Sequence, residues 1–188
     1  FADPVRVNDL KPEIRDLVLG GPQLFITKTN ALSRVHRLVR MDYIGVKKLS
    51  PAGEVVGEHR FIGLFASKAY KAEAEKIPIL RHKLKVILDT SGVKEGTHDY
   101  KEYNTIFSSM PKEELFLSSP EQISADIQIV LTAQNTDDAR VTVREDPVRR
   151  GIFIMVILPK DRFSGDVRRA IEKVLIGHFQ AEVLNYHL

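Results

Sequence analysis

Apolar positions along this chain change their period twice, and the changes divide it. Between Gln23 and Phe65 the period is near two, as in strands. From Ser67 to Met110 it is helical, and from Glu114 onward the two alternate. Ahead of the first strand, Lys11 to Leu17 predicts a short helix with Pro12 near its start, closed by Gly20-Gly21-Pro22. Gln23 to Thr29 then predicts a strand with Phe25 and Ile26 on opposite faces, broken by Asn30-Ala31-Leu32. Two further β-runs flank Ser50-Pro51-Ala52-Gly53, a type I turn signature. In the first of these runs Val39, Met41 and Tyr43 share a face, after which the apolar set moves to Ile44 and Val46. That phase change predicts a bulge, or a strand buried on both faces, near Ile44-Gly45. The second run ends in Phe61-Ile62-Gly63-Leu64-Phe65, which places its far end deep in a core and its turn end in water.

The helical stretch opens at Ser67, a cap for a short helix through Glu75 that Ile77-Pro78 interrupts. Leu80, Leu84, Ile87 and Leu88 form an amphipathic stripe, and Gly92 stands where a C-terminal cap belongs. Thr97 caps a second helix carrying Tyr100, Tyr103, Phe107 and Met110, stopped by Pro111. In the last third, Glu114 to Leu117 is expected as a short strand. Ser119-Pro120-Glu121-Gln122 is a capping box, and Ile123, Ile127, Val130 and Leu131 give the helix it starts. Val141 and Val143 alternate with polar neighbours, and Asp146 to Gly151 turns. Ile152 to Leu158 predicts a buried central strand. A helix from Ser164 or Asp166 carries Val167, Ala170, Ile171, Val174 and Leu175 and stops at Gly177, and Glu182 to Leu188 alternates as a last strand. The order from Glu114 is β-α-β-β-α-β, the ferredoxin-like arrangement, with a sheet face open for pairing.

The fold class predicted is therefore α+β: an antiparallel β-rich part over 1–70, a helical connector over 71–112 and a ferredoxin-like module over 113–188. A length of 188 residues is ample for a core. Apolar stretches fall short of the roughly 18 residues that span a bilayer, so no membrane partner is expected. With no cysteine, disulfides and thiolate metal sites are excluded, and a cytoplasmic setting fits. The chain opens on Phe1 rather than methionine and is read as part of a longer polypeptide. The three parts carry net charges of +3, +3 and −3 (divided at residues 66 and 112), too even a spread to require a nucleic acid.

Candidate chemistry is sparse. Gly92 to His98 lacks the Walker lysine, and no G-x-G-x-x-G follows a strand, so no cofactor site is expected in this segment. His36 and His59, with Glu58 and Asp42 near, offer a small metal or acid–base site if they face each other across the hairpin. Histidines bonded at a sheet surface are the preferred reading. Arg34, Arg37, Arg40, Lys47 and Lys48 form a basic group suited to phosphate or carboxylate, or simply a solvated face. A nucleophile elbow is absent, and no catalytic or metal residue is assigned.

Thr29 to Arg37, Asp42 to Val46 and Gly53 to Phe65 together resemble the large bacterial NAD-specific glutamate dehydrogenases. Ile77-Pro78-Ile79-Leu80-Arg81, His98-Asp99, Glu114-Leu115-Phe116 and Leu158 to Phe163 continue the likeness in one collinear order. The resemblance implies a regulatory region with PAS-like (1–70) and ACT-like (113–188) portions ahead of a separate catalytic part. It implies NAD as the parent's cofactor and glutamate as its substrate. The family's catalytic lysine and dinucleotide fold have no counterpart here. Partners implied are the remainder of the same polypeptide, a second copy pairing through the ACT-like sheet, and an amino-acid effector. The effector is placed at the strand-to-helix turn Ser118-Ser119, with Arg34, His36 and His59 as further candidates, because the N-terminus of a capped helix attracts carboxylates. A free-standing small-molecule sensor and a nucleic-acid module using strand 34–48 are the alternatives.

Overall fold

In the computed structural model, residues 5–35, 38–145 and 151–180 are described. Helix α1 (Pro12–Gly20) leads into an antiparallel sheet of β1 (Leu24–Leu32), β2 (Arg40–Leu49) and β3 (Val55–Gly63), in that spatial order. The Ser50–Gly53 turn joins β2 to β3 as its sequence predicts. The Gly53 N–H donates to the Ser50 carbonyl at 2.9 Å, and Gly53 takes a φ of 84°. Asn30-Ala31-Leu32 does not end the first strand; the β1–β2 register shifts between Lys28 and Leu32, and the strand runs on.

Pairing is continuous through Ile44 and Gly45, so the phase change there marks a central strand covered on both faces rather than a bulge. On one face the Phe25 ring stacks on Tyr43 with centroids 5.8 Å apart. It passes so close to Gly45 that a Cβ there would lie 2.4 Å from its ring. On the other face Ile26 and Ile44 reach the main core.

That core belongs to the helices. After short α2 (Ser67–Lys71), α3 (Pro78–Ser91), α4 (His98–Ser109), α5 (Lys112–Leu117) and α6 (Pro120–Thr136) bury their stripes against one another. Leu80, Ile87, Phe107, Leu115 and Ile127 are fully enclosed. Gly92 caps α3 in the left-handed conformation, and the Thr97 hydroxyl accepts from the Tyr100 N–H at 3.2 Å to start α4. Ser67, by contrast, is the first residue of α2, whose cap position is Ala66. The helix ends at Lys71, and Ala74–Lys76 forms a separate 3₁₀ turn.

Several expectations about burial and type are corrected. Residues 114–117 are helical, not extended. Leu115 and Phe116 are both buried against the helices, which adjacent residues of a strand would not be on a one-sided sheet, and Glu113 and Glu114 suit a helix first turn. Phe61 and Ile62 are 59% and 58% exposed: they point to opposite faces of β3, and nothing among the described residues covers either face at that strand; only Leu64 and Phe65, beyond it, turn inward. The strand β5 (Ile152–Ile157) pairs with β4 (Arg140–Glu145) alone among the described residues. It is half-exposed rather than central, with Val141, Val143 and Ile152 open to solvent on one face. Helix α7 (Gly165–Phe179) is capped by Ser164, one of the two starts expected, but runs through Gly177 to a left-handed cap at Gln180, and Val174 on its predicted stripe is exposed. The turn over 146–150 and the last strand, 182–188, lie outside the described residues. From Lys112 the described order is thus α-α-β-β-α.

Candidate functional site

Among the described residues, charged groups from five elements converge where α5 meets both sheets. Pro111 begins this six-residue helix, and Glu113 and Glu114 form its first turn. On one side Glu113 Oε1 meets Lys28 Nζ of β1 at 2.6 Å, and the same ammonium donates to Asp42 Oδ1 of β2 at 2.7 Å. The second oxygen of Asp42 accepts the Phe65 N–H at 2.9 Å, which turns the chain so that Phe65 stacks on Phe116 of α5, centroids 4.5 Å apart. Burial pulls the Lys28 pKa down, but its bonds to Asp42 and Glu113 outweigh that and leave it raised.

On the other side Glu114 faces Arg144 of β4. The guanidinium lies 2.9 Å from Asp126 Oδ2 of α6 and 3.8 Å from Glu114 Oε2, with its carbon 4.6 Å from the centre of the Phe153 ring of β5. Both carboxyls are largely enclosed. Burial, opposed by Arg144 and Lys28 and reinforced by Glu113 and Asp126, pushes Glu114 up to about 7; burial also raises Asp126. Between these groups is a crevice of about 10 Å³, which Ile123 and Met155 also line. That is room for about one water molecule.

Lys83 of α3 fixes the far end of α5. Its ammonium donates to the carbonyls of Leu115 and Phe116 at 2.8 Å each and of Ser118 at 2.6 Å. A cation there satisfies orphan carbonyls and complements the helix dipole. Burial pushes its pKa down to about 8. A lone lysine two helices away in sequence gives no hint of this cap, which explains why the chain's periodicity does not reveal it.

Ser118 and Ser119 form the joint between α5 and α6, a helix-to-helix turn rather than the strand-to-helix turn expected. Ser118 is buried and borders the crevice. Ser119 closes the capping box: its N–H donates to Gln122 Oε1 at 2.9 Å, and its hydroxyl accepts the Gln122 N–H at 3.3 Å. The hydroxyl beside Glu121 also holds that carboxyl below its usual range, so a carboxylate of the chain itself already occupies the first turn. The other candidates lie apart from this joint. Arg34 is exposed in the β1–β2 connection. His59 is exposed on β3, on the strand face opposite Glu58. His36 lies outside the described residues. Glu58 instead accepts from the Tyr43 hydroxyl at 2.6 Å and pairs with Arg60 at 3.1 Å. Among the described residues, the His/carboxylate trio within reach of one another is His98, Asp99 and Glu102, on the outer first turn of α4.

The sequence of this region matches known families. Residues 77–136 match glutamate dehydrogenase helical motif 1, and residues 140–188 match the glutamate dehydrogenase ACT2 domain. The first match ends with α6 and the second begins with β4, so the Arg144–Asp126 and Arg144–Glu114 contacts join one family module to the other. A helical module bearing a small antiparallel sheet from an ACT domain is thus the class of structure seen here. Among curated relatives, the chain is 31% identical over 79% of its length to the NAD-specific glutamate dehydrogenase of Pseudomonas aeruginosa, 9% of which is covered. It is 29% identical over 85% of its length to that of Halomonas elongata, covering 10%, and 26% identical over 71% to that of Mycobacterium tuberculosis, covering 8%. The chain belongs to the large NAD-specific glutamate dehydrogenases and corresponds to their N-terminal region. It spans about a tenth of the length of the relatives it matches.

Proposed function

We propose that this segment is a non-catalytic regulatory and assembly part of a large NAD-specific glutamate dehydrogenase, a polypeptide that oxidatively deaminates L-glutamate to 2-oxoglutarate and ammonia. NAD would be bound and reduced elsewhere in that polypeptide. The observation that carries this reading is the junction itself. Three elements from different parts of the chain converge on α5 through charge-bearing contacts, and two of the joined pieces match glutamate dehydrogenase modules.

In this reading β1–β3 is the remnant of a PAS-like sheet and β4–β5 with α7 the core of an ACT-like domain. The open apolar face bearing Val141, Val143 and Ile152 supports a second copy or another part of the polypeptide pairing there. The crevice beside Ser118 takes about a water molecule, which favours assembly over a preformed amino-acid pocket. No described helix is long and apolar enough to cross a membrane.

The reading is tested in the parent enzyme. An Arg144→Ala substitution is expected to change its oligomeric state or its response to effectors, while the turnover of the assembled form persists. An unchanged sedimentation profile together with unchanged kinetics would remove the regulatory role. A thermal-shift screen of amino acids on the 188-residue chain separates sensing from scaffolding: a ligand at a hundred times its Kd adds about 2.7 kcal/mol.

A further inference from the structure

The junction contains one carboxyl that the ion pairing does not use up. Arg144 lies nearer to Asp126, at 2.9 Å though without hydrogen-bond geometry, than to Glu114, at 3.8 Å. Its neighbour Glu113 is committed to Lys28 of β1. If Glu114 ionises, two carboxylates share one guanidinium inside a crevice with space for about one water, and a third carboxylate adjoins them.

The other surfaces around it add one cation, Lys28, and that one is already shared. From α6 the facing charged group is Asp126, from β4 it is Arg144, and from β1 it is Lys28, which Asp42 of β2 shares. The β5 side presents Phe153 and Met155, and the α4–α5 turn presents Met110 and Pro111. Lys83 of α3 spends its donors on the carbonyls at the opposite end of α5.

We propose that Glu114 and Arg144 form a proton-controlled latch between the helical motif and the ACT-type sheet. With its carboxyl protonated, Glu114 lies neutral under Arg144, and β4–β5 stays seated on α5 and α6. Loss of that proton leaves an excess negative charge in the crevice and loosens the seat.

The direction follows from linkage. Glu114 titrates at about 7 in the closed junction, above the 4.5 of a free glutamate. The closed state therefore holds the proton more tightly. Its advantage is full below pH 4.5 and is lost as pH rises through 7. The seat thus weakens from pH 4.5 to about 7 and no further above it. The latch goes beyond the enzyme-level reading above, since it concerns how this chain's own pieces adhere.

The test is hydrogen exchange of the β4 and β5 amides in the 188-residue chain from pH 5 to 8.5, corrected for intrinsic exchange. The opening constant is expected to rise by up to tenfold per pH unit between pH 5 and 7 and then to level off. Glu114→Gln, which keeps the shape and removes the proton, should flatten the profile. Glu113→Gln should leave it sloped. Carbon-13 titration of the Glu114 carboxyl in the unsubstituted chain reads the same proton without any variant, with a midpoint near 7 expected. A flat wild-type profile, a slope that survives Glu114→Gln, or a midpoint near 4.5 overturns the latch. Each of those results would leave the regulatory reading standing, because that one is decided by the parent enzyme's assembly and kinetics.

Discussion

Glu113 and Glu114 are neighbours on the first turn of α5 and hold on to different sheets. Glu113 pairs with Lys28 of β1, and Glu114 faces Arg144 of β4. Consecutive helical residues point about 100° apart, so one short helix can present one carboxylate to each side. Helix α5 is held by little else of its own: six residues are too few for a helix to persist in water without tertiary support. Its position is therefore set by its neighbours, and a change in either sheet is felt at the same helix turn.

The Lys83 cap is the first measurable consequence. Lys83→Met keeps the aliphatic stem and removes the donors, leaving carbonyls of Leu115, Phe116 and Ser118 without their ammonium partner. A loss of about 1–3 kcal/mol in urea unfolding is expected, the range for buried polar groups left unmatched. A change below about 0.5 kcal/mol would mean that water replaces the lysine without penalty.

Ser119→Ala removes the hydroxyl half of the capping box. Stability should fall by about 1 kcal/mol, measured by chemical denaturation. Affinity for any amino acid that the thermal-shift screen finds should stay the same, because the hydroxyl is already engaged with Gln122. A large loss of ligand affinity with little change in stability would reverse this assignment and place a ligand at the joint.

Gly45 has a different constraint. A Cβ at this position would stand 2.2 Å from Glu58 Oε1 and 2.4 Å from the Phe25 ring. Gly45→Ala must therefore displace both the ring stacked on Tyr43 and the Glu58 oxygen that the Tyr43 hydroxyl donates to. Overpacking of this sort costs about 1–3 kcal/mol. Thermal denaturation, with tyrosine absorbance reporting the Glu58 contact, checks both the size and the cause.

Sequence alone was enough for many local features, though not for the Ser67 cap, the Asn30–Leu32 break or the Gly177 stop. The Gly53 turn, the Gly92 cap, the Thr97 and Ser164 caps and the Ser119–Gln122 box are all present, since each needs only residues within a few positions of one another. The stripe Leu80, Leu84, Ile87 and Leu88 is buried throughout, because a 3.6 period fixes which residues share a face. The family was legible as well, carried by many residues in collinear order.

What tertiary structure decided is where apolar runs end up and which charges meet. Phe61-Ile62 and Ile152 to Ile157 read as core strands because hydrophobicity reports what a strand can bury, not what lies beside it. Each stands at a sheet edge among the described residues. Residues 114–117 carry too short an apolar run for periodicity to separate helix from strand, and the decision fell to Lys83, 32 positions away from Leu115, and to Phe65. Asp42, Lys28, Glu113, Glu114, Arg144 and Asp126 look like ordinary surface charges along the chain. Their pairing spans β1, β2, α5, α6 and β4, and only the folded chain brings those five elements to one place.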